Sequence, residues 1–296
     1  MVTGAEKADV VVVGGGLFGR VITHALRRQG RRVVAIDAAH ETRGSNAAGC
    51  VMKPSWLSRL GDDFTPAMDL LASLYSSFER RPFRVNGMAF ADCYWVRPDQ
   101  VLLDSMTGDF TDEADDRRGN VEHVLQSDDG LDVPQVVYST TAGWERVEAP
   151  LVVVAAGIWT EHLLPELRGV VTPRWGVATR SEATLEHDFI RAWAPYRQVV
   201  GVNLDPGLCW TGDGSALVRP PTGDQLAAIV RRESVDAALR SRTILGARPY
   251  VDKKVLGTAP ALLQEVRPGV WAATGGAKNG TAAAAWCALR LMEVGR

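Results

Sequence analysis

The chain has 296 residues, of which 46% are hydrophobic and 23% charged, and it carries a net charge of −2. That is enough chain for one large domain or two smaller ones, and no bulk attraction to nucleic acid or membrane is written in, although a local basic face can hide in a neutral total. The cysteines Cys50, Cys93, Cys209 and Cys287 form no C-x-x-C and no pairing with histidine; this suits a reducing cytoplasm, argues against disulfides or a metal site, and makes each read as a small buried hydrophobe.

Residues 1–9, MVTGAEKAD, lack the basic-then-apolar layout of a secretion signal, and the valine run after them is too short to span a bilayer. A cytoplasmic protein with no membrane partner is expected. The run DVVVVGG at 9–15 is continuously apolar, as in a strand buried on both faces of a parallel sheet. Val21, Ile22, Ala25 and Leu26 follow at helical spacing, with Arg27 and Arg28 expected to point outward, and RRVVAID supplies a second strand ending on an acid. Strand, helix and parallel strand in so short a span make a βαβ unit.

A helical pattern recurs over 62–79, and 82–96 reads as short strands. Pro98 opens a predicted helix carrying Val101, Leu102 and Met106, and 109–119 reads as a charged, solvated loop. Strands are expected at 120–126, 135–140, 144–149 and from Leu151, then a mixed stretch over 174–245 with strands at 197–204 and 215–220 and a long amphipathic helix at 224–239. The chain returns to a strand entering a glycine turn at 270–276 and a helix over 279–294. Strand–helix units at both termini around a β-rich middle suggest an α/β fold, discontinuous in sequence, with an inserted α+β domain.

Gly14, Gly16 and Gly19 form G-x-G-x-x-G between a strand and a helix. The first glycine permits the turn, the second admits a pyrophosphate to the backbone, and the third lets the helix pack on the strand; Leu17 and Phe18 complete the turn. Amides at the helix start would hold the phosphates. Asp37, some 20 positions on, stands where a carboxylate accepts both ribose hydroxyls of an adenosine, and it would repel a 2′-phosphate, disfavouring NADP. A plain βα turn is the alternative, and the motif alone does not choose between NAD and FAD.

The segments SNAAGCVMKP, WVRPDQVLLDSM, LVVVAAGIWT, ILGARP and TGGAKNGTAAA appear in that order. Together with the glycine turn they resemble the D-amino-acid oxidase family, most closely its glycine oxidase branch. The resemblance runs over nearly the whole chain, strong at both ends and thin over 55–95 and 176–240. It implies FAD rather than NAD, in a Rossmann-like FAD-binding domain at 1–80, 98–172 and 246–296, with a smaller α+β substrate domain at 81–97 and 173–245. By the resemblance, Gly14, Gly16, Leu17, Phe18, Gly19, Asp37 and Val121 contact the cofactor, Ser45, Ala47, Ala48 and Gly49 lie along the flavin ring, and Ala155, Ala156, Gly157 and Trp159 form a small-residue strand end. Gly276, Asn279, Gly280 and Thr281 begin the helix beneath the flavin's pyrimidine edge. There, amides and the cation Lys278 would stabilise the negative charge of the reduced ring; a solvated lysine is the alternative.

Arg248 matches the family's carboxylate-binding arginine, a guanidinium fork that takes a carboxylate in two parallel hydrogen bonds; a surface arginine before a proline is the alternative. The implied reaction is hydride transfer from an amine-bearing carbon of glycine, an N-substituted glycine or a D-amino acid. The imine hydrolyses and O2 reoxidises the flavin. No histidine is needed, and His24, His40, His123, His162 and His187 are left surface or core roles. Gly276 replaces a histidine of many relatives, Lys278 an arginine of glycine oxidases, and the stretch before RPDQ is short, implying a reduced lid. Lys53, Ser55 and Trp56 are pocket candidates, and Trp95 and Trp210 could line a pocket or pack in the core. One further possibility is the same oxidation of a glycyl group on a nucleotide or nucleic acid, with basic pairs such as Arg80–Arg81 on phosphate. Another is an inert flavin-binding protein or an NAD-dependent dehydrogenase.

Overall fold

The computed structural model describes residues 5–98, 100–101, 115–126, 133–194, 197–212, 216–233, 241–276 and 279–294. In chain order, β1 (Glu6–Lys7) and β2 (Val10–Val13) lead into α1 (Leu17–Arg28) and β3 (Val33–Asp37). A 3-10 turn at Gly44–Ala47 and β4 (Val51–Met52) precede α2 (Phe64–Leu74) and the hairpin of β5 (Glu79–Val85) and β6 (Ala89–Trp95). Next come β7 (Asp116–Arg118), β8 (Asn120–Leu125), β9 (Gln135–Thr140), β10 (Gly143–Glu148) and β11 (Leu151–Val154). Then follow β12 (Val171–Ser181), β13 (Phe189–Ala194), β14 (Arg197–Asp205), β15 (Leu208–Gly212), α3 (Gly223–Glu233) and β16 (Ser241–Val251). The chain closes with β17 (Leu262–Arg267), β18 (Val270–Thr274) and α4 (Gly280–Glu293).

Four consecutive β-branched residues make β2 a good central strand, and all four are buried. It sits in a six-stranded sheet of order β17-β18-β11-β2-β3-β7, parallel except for the β17–β18 pair. The even-numbered valines, Val10 and Val12, face α1 and α4, meeting Val21, Ile22, Ala25 and Leu26 of α1. On α4, the run Ala282–Ala285 is wholly buried, and its small side chains let that helix lie close against the first. Val11 and Val13 face the other way, onto the four-stranded sheet β1-β10-β9-β8 through Val136, Tyr138 and Val147. The result is three layers: helices, parallel sheet, antiparallel sheet.

An eight-stranded sheet of order β16-β12-β15-β14-β13-β5-β6-β4 forms the remainder. Its longest pairing, β12 with β16, runs from Val171↔Val251 to Ser181↔Ser241. Phe83, Cys93, Trp95, Ile190, Val202 and Trp210 fill its core. The mixed α/β architecture agrees with the sequence expectation. All four cysteines are buried, and no helix among the described residues is long and apolar enough to cross a membrane.

Local expectations are corrected in several places. Within the expected charged loop 109–119, Asp116–Arg118 is strand β7, parallel to β3; residues 109–114 lie outside the described residues. Its anchor is Asp116, whose carboxylate takes Arg20 at 2.7 Å and Arg27 at 2.6 Å with all three side chains largely buried. Arg27 therefore turns inward, also donating to Val33 O at 2.8 Å, while only Arg28 is exposed. Residues 217–220 form no strand, only a bridge from Leu217 to Trp175. Conversely, β12, β15, β16 and β17 were not foreseen; Pro173, Gly176 and Gly246 break the alternation that marks a strand. Pro98, Gln100 and Val101 are helical, whereas residue 99 and the expected helix positions Leu102 and Met106 lie outside the described residues; α3 is seen to Glu233.

Candidate functional site

A cavity of about 600 Å³ opens where the carboxyl ends of β2, β3 and β11 meet the eight-stranded sheet. The glycine turn forms one wall. Gly14 has φ +109°, and a Cβ there would lie 2.5 Å from Ala155 O. A Cβ on Gly16 would lie 2.8 Å from Ser45 Oγ, the atom that accepts the Leu17 N–H at 2.8 Å. Gly19 lies behind the cavity: a Cβ there would fall 1.7 Å from Gly14 O, so α1 can seat on β2 only without a side chain. Leu17 and Phe18, in the first turn of α1, line the cavity.

Asp37 reaches the cavity from the end of β3, and its carboxylate lies beside the turn, 2.6 Å from where a Gly15 Cβ would stand. Arg43 ion-pairs with it, both side chains being largely buried, and also donates from Nε to Asn46 Oδ1 at 3.0 Å. The loop that follows contributes Ser45, Ala47, Ala48 and Gly49. It touches the large sheet directly, since Ala247 N–H donates to Thr42 O at 2.8 Å and a Cβ on Gly246 would be 2.8 Å from Ala47 Cβ.

The second glycine turn closes the cavity from the other terminus. A Cβ on Gly276 would lie 2.8 Å from both Phe18 Cζ and Ala283 Cβ, so the two termini meet there. Gly280 and Thr281 line the cavity at the start of α4. Asn279 stands beside it, its Nδ2 donating to Trp56 O. Val121, Ala155, Ala156, Gly157 and Trp159 also line it. Arg248, half-buried on β16, lies in the wall of the large sheet with Trp210 and Gln198. Lys278 lies outside the described residues.

Of the pocket candidates, Trp56 lines the cavity, whereas Lys53 and Ser55 do not. Trp95 is buried in the core and donates from Nε1 to Gly49 O at 3.1 Å. Two histidines set aside in the sequence do reach the cavity: His40, stacked on Trp159 with centroids 4.4 Å apart, and His162. On α1, away from the cavity lining, His24 Nδ1 and Tyr75 OH lie 3.1 Å apart. Burial, with Arg20 and Arg27 nearby and Asp116 opposing, lowers the His24 pKa from 6.5 to about 4. Sequence reasoning missed Arg43 and Gln198. The first had a signal, a cation six positions after a site acid. The second had none, because only strand register brings it there.

These features define a class: a parallel α/β layer with a G-x-G-x-x-G turn, joined to a large antiparallel sheet across one elongated cavity. Among solved structures, the chain is similar to a glycine oxidase from Bacillus cereus ATCC 14579, with TM-score 0.67 and 14% identity over 98% of this chain and 96% of that one. It is similar as well to an FAD-dependent oxidoreductase from Pseudomonas aeruginosa, with TM-score 0.66 and 17% identity over 99% and 93%. An iminodiacetate oxidase from Chelativorans sp. BNC1 matches with TM-score 0.67 and 15% identity over 96% and 94%. No family model matches the chain, and no curated protein matches it by sequence. The chain has the fold of these three proteins, which is the fold its motifs resemble.

Proposed function

We propose that the chain is an FAD-dependent oxidoreductase that oxidises the C–N bond of a small amino acid: glycine, an N-substituted glycine or a D-amino acid. The observation that supports this most is the single cavity that joins both glycine turns and has Arg248 in its wall. The residues suit a dinucleotide. Gly14 and Gly16 leave the space that a Cβ would fill, and the start of α1 offers amides to a diphosphate. Asp37 would accept the ribose hydroxyls, its ion pair with Arg43 yielding to them. The loop 45–49 and Gly276–Thr281 would flank the ring, with Lys278 beside it by resemblance.

FAD, when bound, supplies a two-electron acceptor for the hydride of the amine-bearing carbon, the imine product being hydrolysed by water and O2 serving as the terminal acceptor. Arg248 holds the substrate carboxylate by a two-point, charge-assisted contact and so orients the carbon beside it. Residues 1–80, 98–172 and 246–296 make the cofactor domain and 81–97 with 173–245 the substrate domain, β12 and β16 running through both. A cytoplasmic location completes the reading.

The test is the visible spectrum of the purified protein, followed by anaerobic mixing with glycine, sarcosine, D-alanine, D-proline and a glycyl-modified nucleoside. A yellow protein bleached by a free amino acid is expected. Bleaching by the nucleoside alone would move the substrate to a nucleic acid, and a colourless protein responding to a nicotinamide cofactor would end the flavin reading. Arg248→Met should weaken carboxylate substrates by about 100-fold while leaving FAD in place; loss of colour instead would assign that residue to the cofactor.

A further inference from the structure

The large sheet carries a second polar group in the cavity wall, on the same face as Arg248. Gln198 lines the cavity from β14, and its Oε1 is buried with no hydrogen-bond partner among the described residues. A buried acceptor left in this state points to a ligand or a water that completes it. Trp210, 6% exposed in the same wall, has an Nε1 in the same condition.

Register places Gln198 relative to Arg248. Val200 pairs with Gly212, Gly212 with Ala178, and Gly176 with Gly246. β14 and β12 run in the same direction, each antiparallel to β15. Gln198, two residues before Val200, therefore shares a row with Gly176, two residues before Ala178. Arg248 stands one step further along the same face of β16. Three strand spacings across and two residues along put the two Cα atoms about 16 Å apart. Both line the cavity from that shared face, and side chains as long as arginine and glutamine can reach a common ligand across such a gap. Gly176, in the row between them, adds no side chain.

We propose that Gln198 is a specificity-determining residue that accepts a hydrogen bond from the substrate amine while Arg248 holds the carboxylate. This rests on the carboxylate reading of Arg248 and deepens it. The guanidinium sets which way round the substrate lies by taking the carboxylate in two charge-assisted hydrogen bonds, and Oε1 then meets the amine. The same pairing selects substrates with an N–H to give. Primary and secondary α-amines qualify, whereas a neutral tertiary amine does not.

The experiment compares two probes on the FAD-loaded protein under anaerobic conditions. One is N-methylglycine, followed by flavin bleaching; the other is propionate, a carboxylate without an amine, followed by calorimetry. Gln198→Leu should raise the half-saturating N-methylglycine concentration about tenfold and change propionate affinity less than twofold. Gln198→Glu, which keeps an acceptor, should restore the amine ligand. Equal weakening of both probes, or no weakening of either, would overturn the assignment. A wild-type protein that is colourless, or that binds neither probe, would overturn the carboxylate reading and this proposal with it.

Discussion

One wall of the cavity presents main chain and the other presents side chains. Around Gly14–Gly19 the surface is defined by atoms that are missing, and the neighbouring backbone at Ala155 and Gly14 leaves no room for a Cβ. On the eight-stranded sheet it is defined by Arg248, Gln198 and Trp210, which stand on three different strands and share a face only through register. A main-chain wall tolerates almost no substitution. A side-chain wall can change residue by residue, so it is the wall on which substrate selectivity can vary.

That contrast can be broken or sharpened by experiment. The largest effect is expected at Gly19→Val, whose Cβ would collide with the Gly14 carbonyl. A loss of about 4 kcal/mol or more should leave little folded chain by urea denaturation and circular dichroism. A variant that still folds and takes up FAD would show that α1 can seat differently.

Asp116→Ala comes next. It would remove the buried carboxylate that Arg20 and Arg27 share, at a cost of about 3–5 kcal/mol of stability, read from the shift of the urea midpoint. A near-neutral result would mean that water reaches those guanidiniums.

The His24 ring, on α1 beside Tyr75, makes the first region sensitive to acid. Its pKa is about 4 in the folded chain against an ordinary 6.5. As pH falls through that interval, the unfolded chain takes up a proton that the folded chain refuses. Stability is therefore lost between pH 6.5 and 4, by up to about 3 kcal/mol, and levels off below. His24→Gln should flatten that part of the profile; an unchanged slope would assign it to other groups.

The smallest effect belongs to the side-chain wall. Trp210→Phe removes an N–H that has no partner among the described residues and shortens a ring packed in the core of the large sheet, so stability should fall by about 1–2 kcal/mol, the cost of the lost packing. A loss well beyond that packing cost would show that the N–H also serves the fold.

How much of this could be read from the chain differs between the walls for the same reason. DVVVVGGGLFG is contiguous, and its strand, turn and helix follow from β-branching, glycine freedom and helical spacing, all local properties. The second glycine turn was legible too, and the structure brings it against the first through Phe18 and Gly276. β7 was hidden because Asp-Arg-Arg has the composition of a solvated loop, and only the two arginines of α1 make its burial tolerable. β12 and β16 were hidden because proline and glycine interrupt their alternation, while their long mutual pairing supplies the hydrogen bonds that local preference does not.

The sequence by itself determined the parallel βαβ core, the glycine turns at both ends and the acid at the end of β3, because each depends on residues within one turn or strand of one another. Tertiary structure alone decided that Asp37 is held by Arg43, that His40 and His162 face the cavity, and that Gln198 shares a sheet face with Arg248. Those relations arise from strand register and chain crossing over long separations. They are set by which hydrogen-bond ladders and buried faces can be satisfied together, and no single segment carries that information.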